Sequence, residues 1–220
     1  MEIESRNNLS PCFARLQEQF DYSKVAEKIL KGNFDFIVSE RGTAYGGPKK
    51  TWRRIIVRKS GSPHTNVKQD LLQLPVFQQV PELVDCMEAV APLENLDQVL
   101  LTRVEPQEGL VARHTDIALD RDKILKGVTP NTFMRFHLVL QSNPGCTFHV
   151  WDLHGNKQSV QMKTGEVWYT DVRKPHAIDN KGDQFRLHLV CDWKYEERLF
   201  QKFDKLLPAV NISPEVGGFF

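Results

Sequence analysis

The chain has 220 residues, room for one domain with a sizeable core and too little for two full ones. Lys plus Arg total 29 against 28 Asp plus Glu, so nothing in the charge balance points to nucleic acid or an acidic membrane as partner. No apolar run nears the roughly 18 residues of a membrane span, the start Met-Glu-Ile-Glu-Ser-Arg is not a secretory signal, and Cys12, Cys86, Cys146 and Cys191 form no CxxC; a cytoplasmic protein with reduced thiols is expected, not a disulfide framework or a zinc site.

In chain order, residues 12–31 carry Phe13, Leu16, Phe20, Val25, Ile29 and Leu30 at helical spacing, with Gly32 as a stop, and predict a helix. Residues 39–50 form a Gly-rich basic loop, Trp52 to Arg58 a strand, and 59–67 a second loop. Residues 76–91 predict a helix begun near Pro81, burying Val80, Leu83, Val84, Met87 and Val90. From 97 onward short alternating runs recur: 97–105, 110–116, 132–141, 146–153, 157–162, 166–171, 175–179 and 184–192. Regularly spaced short strands of this kind predict a β-sandwich or barrel. The chain is thus read as one unit: a helical and loop part over 1–96, a β core over 97–193 and a tail over 194–220, helical near 194–207.

His114-Thr-Asp116 places an imidazole and a carboxylate two residues apart, on one side of a strand, where both can meet one cation. Chance supplies about one such pair in a chain of this composition, and the sequence has one. A two-His-one-carboxylate metal site needs a second His from a distant strand and leaves positions open for other ligands. Among His137, His149, His154, His176 and His188, the richest surroundings belong to His176, followed by Asp179-Asn-Lys-Gly-Asp183 and Arg186. That run is a turn signal. Read as a hairpin centred on Lys181, it sets His176 and Arg186 opposite each other on paired strands. Arg186 is then either a carboxylate clamp beside a metal, through two parallel hydrogen bonds, or a surface arginine.

Arg135 and His137 share one strand face while Phe136, Leu138 and Leu140 share the other, so the polar pair faces water or lines a cavity. Arg103 either points inward toward substrate or makes an external salt bridge. His188 shares the face of Arg186, as a cavity residue or a buried structural one. Asp171 is a turn residue or a partner of His176. Arg53 and Arg54 belong to a basic stretch that is either a substrate-carboxylate contact or a solvated strand edge.

Taken together, His114-x-Asp116, Arg135-x-His137-Leu138, Gly165-Glu166 with Asp171, then His176, Asn180, Arg186, Leu189 and Asp192, over about 97–193, resemble the aspartyl/asparaginyl β-hydroxylase family. That family includes protein hydroxylases and free-amino-acid hydroxylases of the cis-4-proline type. The resemblance implies a double-stranded β-helix, a jelly-roll or cupin-like fold. It implies Fe(II) on His114, Asp116 and His176, 2-oxoglutarate on Arg186 with help from Arg135 and His137, and O2 as oxidant. The 118–131 segment is long for the pattern, and the membrane anchor and helical repeats of the best-known protein hydroxylases are not in this sequence. The expected activity is hydroxylation of an unactivated C–H bond in a small molecule such as a free amino acid or its derivative, with succinate and CO2 formed. Hydroxylation of a protein side chain, and a non-catalytic barrel that binds a metal or small acid, are the alternatives.

Overall fold

The structure, a computed structural model, describes residues 12–38, 52–58, 66–116, 133–152, 155–172 and 174–194, together with Leu199. The loop expected at 39–50, most of 59–67, the 118–131 insert, His154 and most of the tail lie outside these residues. Among the described residues, no helix is long and apolar enough to cross a membrane.

Eleven strands and four α-helices are described. The strands are β1 (Phe13–Arg15), β2 (Ile37–Val38), β3 (Trp52–Arg58), β4 (Leu96–Val104), β5 (Gly109–His114), β6 (Phe133–Gln141), β7 (Cys146–Trp151), β8 (Lys157–Val160), β9 (Val167–Thr170), β10 (His176–Asn180) and β11 (Arg186–Lys194). The helices are α1 (Ser23–Lys31), α2 (Val67–Leu72), α3 (Pro75–Gln79) and α4 (Glu82–Val90). A seven-stranded sheet runs β1-β9-β6-β11-β4-β3-β2, and a four-stranded sheet runs β5-β10-β7-β8. Every pairing is antiparallel. From β4 to β11 the chain passes back and forth between the two sheets, which is the winding of a double-stranded β-helix.

Strand alternation sorts the side chains. On β6, Met134, Phe136, Leu138 and Leu140 join a core with the helices on the outer face of the large sheet, where Val25, Ile29, Phe77, Leu83 and Met87 are buried. Burying each such side chain contributes about 1.5–3 kcal/mol. The opposite phase turns Arg135, His137 and Val139 inward, where Val104, Val111, Phe148, Val150 and Ile178 form a second, inter-sheet core.

Two helices differ from the sequence reading. The expected 12–31 helix begins only at Ser23, whose N–H donates to Asp21 Oδ1 at 3.0 Å. Residues 13–15 instead pair with Thr170, Tyr169 and Trp168 as an edge strand, so sheet pairing overrides helical spacing there. The 76–91 helix is two, α3 and α4. Val80 precedes Pro81 and is pushed out of helical geometry (φ −135°, ψ 69°), which breaks the run. Helix α2, unforeseen, is capped by Asn66, whose side chain accepts from the Gln69 N–H at 3.1 Å.

The largest correction concerns residues 181–185. They do not close a hairpin. β10 pairs with β5 and β7, while β11 pairs with β4 and β6, so the turn carries the chain from the small sheet to the large one. Fully buried Asn180 holds the crossing: its amide donates to the carbonyls of Val104 (3.3 Å), Glu105 (3.0 Å) and Gln184 (2.9 Å). The backbone at Gly182 lies against Gly145, with Lys181 N–H bonded to the Gly145 carbonyl at 3.0 Å; a Cβ on Gly145 would sit 2.4 Å from Gly182 N.

Candidate active site

One cavity of about 270 Å³ opens between the sheets, lined from several strands by His114, Asp116, Arg135, His137, His176 and Arg186. His176, first residue of β10, is the register partner of His114, last residue of β5. Asp116 follows two residues later and is tied back by its N–H to the Val172 carbonyl at 3.3 Å.

The two imidazoles are oriented alike. Nδ1–H of His114 donates to the Ala112 carbonyl (2.7 Å) and Nδ1–H of His176 to the Lys174 carbonyl (3.0 Å). In the neutral ring, Nδ1 as donor leaves the lone pair on Nε2. Both Nε2 atoms face Asp116, at 3.5 Å from Oδ1 for His114 and 3.8 Å from Oδ2 for His176. One ligand atom from each of the three residues lies within 4.8 Å of the other two. Burial, then the neighbouring His114, pushes the His176 imidazolium down to about 3, so the ring is the neutral base a metal needs. Phe148 stacks on His176 (5.8 Å, 6°) and Trp52 leans on His114 (6.0 Å). Two imidazoles and one carboxylate converging on one point fit a hard to borderline divalent cation, Fe(II) included.

Arg186 approaches from the large sheet. Its side chain is buried, and among the described residues it pairs with no carboxylate; Nη2 donates to His137 Nδ1 at 3.3 Å. Burial pulls its pKa down to about 10. His137 is fixed on its other side by Thr170, with Nε2 3.1 Å from Oγ1. His137 and His188 are both held well below their ordinary value, first by burial and then by the Arg186 charge. The His188 ring lies 5.6 Å from that of His137, and neither of its nitrogens has a hydrogen-bond partner among the described residues.

The sequence-predicted residues thus divide. His114, Asp116, His176, Arg186, Arg135 and His137 share one cavity. His188 is buried beside it and is not among its lining residues. Arg103 takes the external alternative and is corrected as a cavity residue. It occupies the opposite strand phase from Thr102, donates to Glu105 Oε2 at 3.1 Å and lies over the Phe185 ring at 4.3 Å. Arg135 carries more than the sequence suggested: Nε and Nη2 donate to Asp192 Oδ1 (2.7 Å) and Oδ2 (2.8 Å), and Nη1 to Asp116 Oδ2. His149 faces away, between Ser159 Oγ (2.7 Å) and Asp179 (3.2 Å), in no second metal group among the described residues. Asp171 is buried and paired with Lys174 at 3.3 Å. Sequence reasoning missed Gln98, Thr102, Phe148 and Trp52 as lining residues. For Thr102 and Gln98 the signal was available, as alternate positions on a strand whose other phase buries Val99 and Leu101.

A jelly roll holding a His-x-Asp…His group beside a buried arginine defines the class of the protein. The model of the aspartyl/asparaginyl beta-hydroxylase family matches residues 17–195, and the chain belongs to that family. It is similar to L-proline cis-3-hydroxylase 1 of Streptomyces sp. (27% identical over 175 residues, 75% of this chain and 56% of that protein). It is also similar to L-proline cis-4-hydroxylase of Rhizobium meliloti strain 1021 (24% over 182 residues, 80% of this chain and 58% of that protein). The chain therefore spans a little over half the length of these relatives. Among solved structures, the non-heme alpha-ketoglutarate-dependent epimerase SnoN shares the fold, with a TM-score of 0.52 at 12% identity over 86% of this chain and 80% of that one.

Proposed function

We propose that the chain is an Fe(II)- and 2-oxoglutarate-dependent dioxygenase that hydroxylates an unactivated C–H bond of a small molecule, a free amino acid or a close derivative. The observation that carries this reading is the pairing of two features in one cavity: a His-Asp-His group and a buried guanidinium with no described counter-ion. A buried cation left unpaired is costly. A dicarboxylate that also chelates the neighbouring metal resolves both at once. The relatives named as L-proline hydroxylases support a free amino acid as substrate class.

In this reading His114, Asp116 and His176 hold the iron, and Arg186 takes the far carboxylate of 2-oxoglutarate, with His137 steadying the guanidinium. Bound Fe(II) supplies the chemistry by which O2 converts 2-oxoglutarate to succinate and CO2 while one oxygen atom enters the substrate. The chain supplies orientation and shelter. The Nδ1–carbonyl bonds fix each imidazole in one tautomer and one plane, and Trp52, Phe148, Val172 and Ile178 keep bulk water from the wall of the site. The four free thiols and the even charge balance support the cytoplasm as its compartment and a small molecule, not nucleic acid or a membrane, as its partner.

The test is succinate formation by iron-loaded protein given 2-oxoglutarate and a panel of free amino acids. Amino-acid-dependent succinate, with a hydroxylated product of matching amount, is expected. Well-folded, iron-loaded protein that neither binds nor consumes 2-oxoglutarate overturns the proposal.

A further inference from the structure

Arg135 places a full positive charge against the carboxylate that completes a cation site, an arrangement that by itself opposes metal binding. It does not stand by itself. Three adjacent strands put Gln98, Asp192 and Arg135 in one cross-strand row: Asp192 on β11 is the register partner of Gln98 on β4 and of Arg135 on β6. Asp192 is buried, accepts both the Nε and Nη2 donors of Arg135, and also accepts from Gln98 Nε2 at 3.4 Å. That grip fixes the planar guanidinium by one edge, so that Nη1 reaches Asp116 Oδ2 while Asp116 Oδ1 stays turned toward His114 Nε2.

We propose that Asp192 is a charge-compensating and positioning residue for the metal carboxylate, acting through Arg135. The inference rests on the metal reading of His114, Asp116 and His176. An imidazole that ligates a metal is neutral, so His114, His176 and Asp116 together bring one negative charge to the cation. Arg135 cancels it, and Asp192 restores it. Asp192 also occupies Nε and Nη2 of Arg135, so that only Nη1 rests on Asp116 Oδ2 and Oδ1 stays toward His114 for the cation. Arg135 thereby acts chiefly on Asp116, which differs from the co-substrate role that the family resemblance implies for it.

The experiment is a double-mutant cycle read as Co(II) affinity, without 2-oxoglutarate or oxygen. Asp192→Asn is expected to weaken Co(II) binding about 10–100-fold, the range known for outer partners of metal ligands. In an Arg135→Met background the same change should matter less than about 3-fold, because the charge it answers is gone. An equal loss in both backgrounds, or no loss in the first, overturns the proposal. Should Asp192→Asn fail to fold, Arg135→Lys serves. A lysine keeps the cation without the fork that spans two carboxylates, so Co(II) binding should again fall about 10-fold, and unchanged affinity counts against the idea. Wild-type protein that binds no Co(II) overturns the metal reading itself, whereas wild-type binding with an unaffected Asn variant overturns only the role of Asp192.

Discussion

His114 and His176 are direct cross-strand partners, and each turns its Nδ1–H back onto the carbonyl two residues earlier in its own chain. One local device, used twice, aims two Nε2 lone pairs at one point. Replacing either ring should therefore remove metal binding while leaving the fold intact. His176→Ala is expected to weaken Co(II) binding by more than the roughly 10–100-fold that loss of an outer partner costs. Titration of the metal-free protein with Co(II), followed by its visible absorption, measures this. A variant that binds Co(II) like wild type would remove His176 from the ligand set.

Arg186 should separate co-substrate from metal. Arg186→Met keeps length and apolar bulk but removes the buried charge. Binding of 2-oxoglutarate to metal-loaded protein is expected to weaken by about 2–5 kcal/mol, roughly 30-fold or more. Metal affinity should stay within a few-fold of wild type. The metal-free variant should also gain stability on the order of 1 kcal/mol, about 2–4 °C in Tm, because an unpaired cation no longer has to be buried. Calorimetric titration and thermal unfolding read the two effects independently. Loss of metal binding alongside loss of 2-oxoglutarate would mean that the residue supports the whole cavity, not one carboxylate.

What the sequence made legible follows the range of its physical signals. Alternation from residue 97 onward located every strand of the core within a few positions, because one buried face per strand leaves a period of two in the residues themselves. The Arg135/His137 phase likewise set a polar face apart from an apolar one but left water or a cavity open, and in the structure both residues line the cavity. Pairing between distant segments left no such trace. Phe13 and Leu16 satisfy helical spacing, yet Phe13–Arg15 lie on the sheet edge because β9 offers them a partner about 155 residues away. The DNKGD run signals a tight turn but not which strands flank it. His176 and Arg186 do line one cavity, for a different reason than register: they look inward from opposite sheets. Asp192 stood in the family pattern without a role, since only the fold brings it to Arg135.

The buried histidines give the metal-free protein a defined acid limit. Burial, then Arg186, holds His188 and His137 well below 6.5 in the folded chain, and His176 is held down to about 3. Unfolding frees these rings to take up protons once the pH falls below 6.5. Their contribution is therefore complete above that pH and is lost progressively as pH falls toward the folded-state values. Urea midpoints should be flat near pH 7 and decline from about pH 6 downward. His188→Leu removes one such ring, with two unsatisfied nitrogens, and should reduce the slope below pH 6.5 by about one proton while raising stability at pH 5. An unchanged slope would mean that His188 finds a partner in solution.

Asn180 is the residue on which the sheet crossing depends. Its amide satisfies carbonyls of Val104, Glu105 and Gln184, while its Oδ1 accepts from Asn143 Nδ2 (3.1 Å) and Gly182 N–H (3.3 Å). Asn180→Ala strands these groups in a fully buried place, at a cost of about 3 kcal/mol. The same bonds fix the segment that delivers Arg186 to the cavity six residues later. Loss of stability should therefore come with weakened 2-oxoglutarate binding in the fraction that remains folded, while Co(II) affinity changes less, because β10 stays paired to β5 and β7 at its His176 end. Calorimetry on folded protein at low temperature, beside urea unfolding, separates the two. If Co(II) binding instead falls further than 2-oxoglutarate binding, then Asn180 anchors β10 itself and not the crossing that follows it.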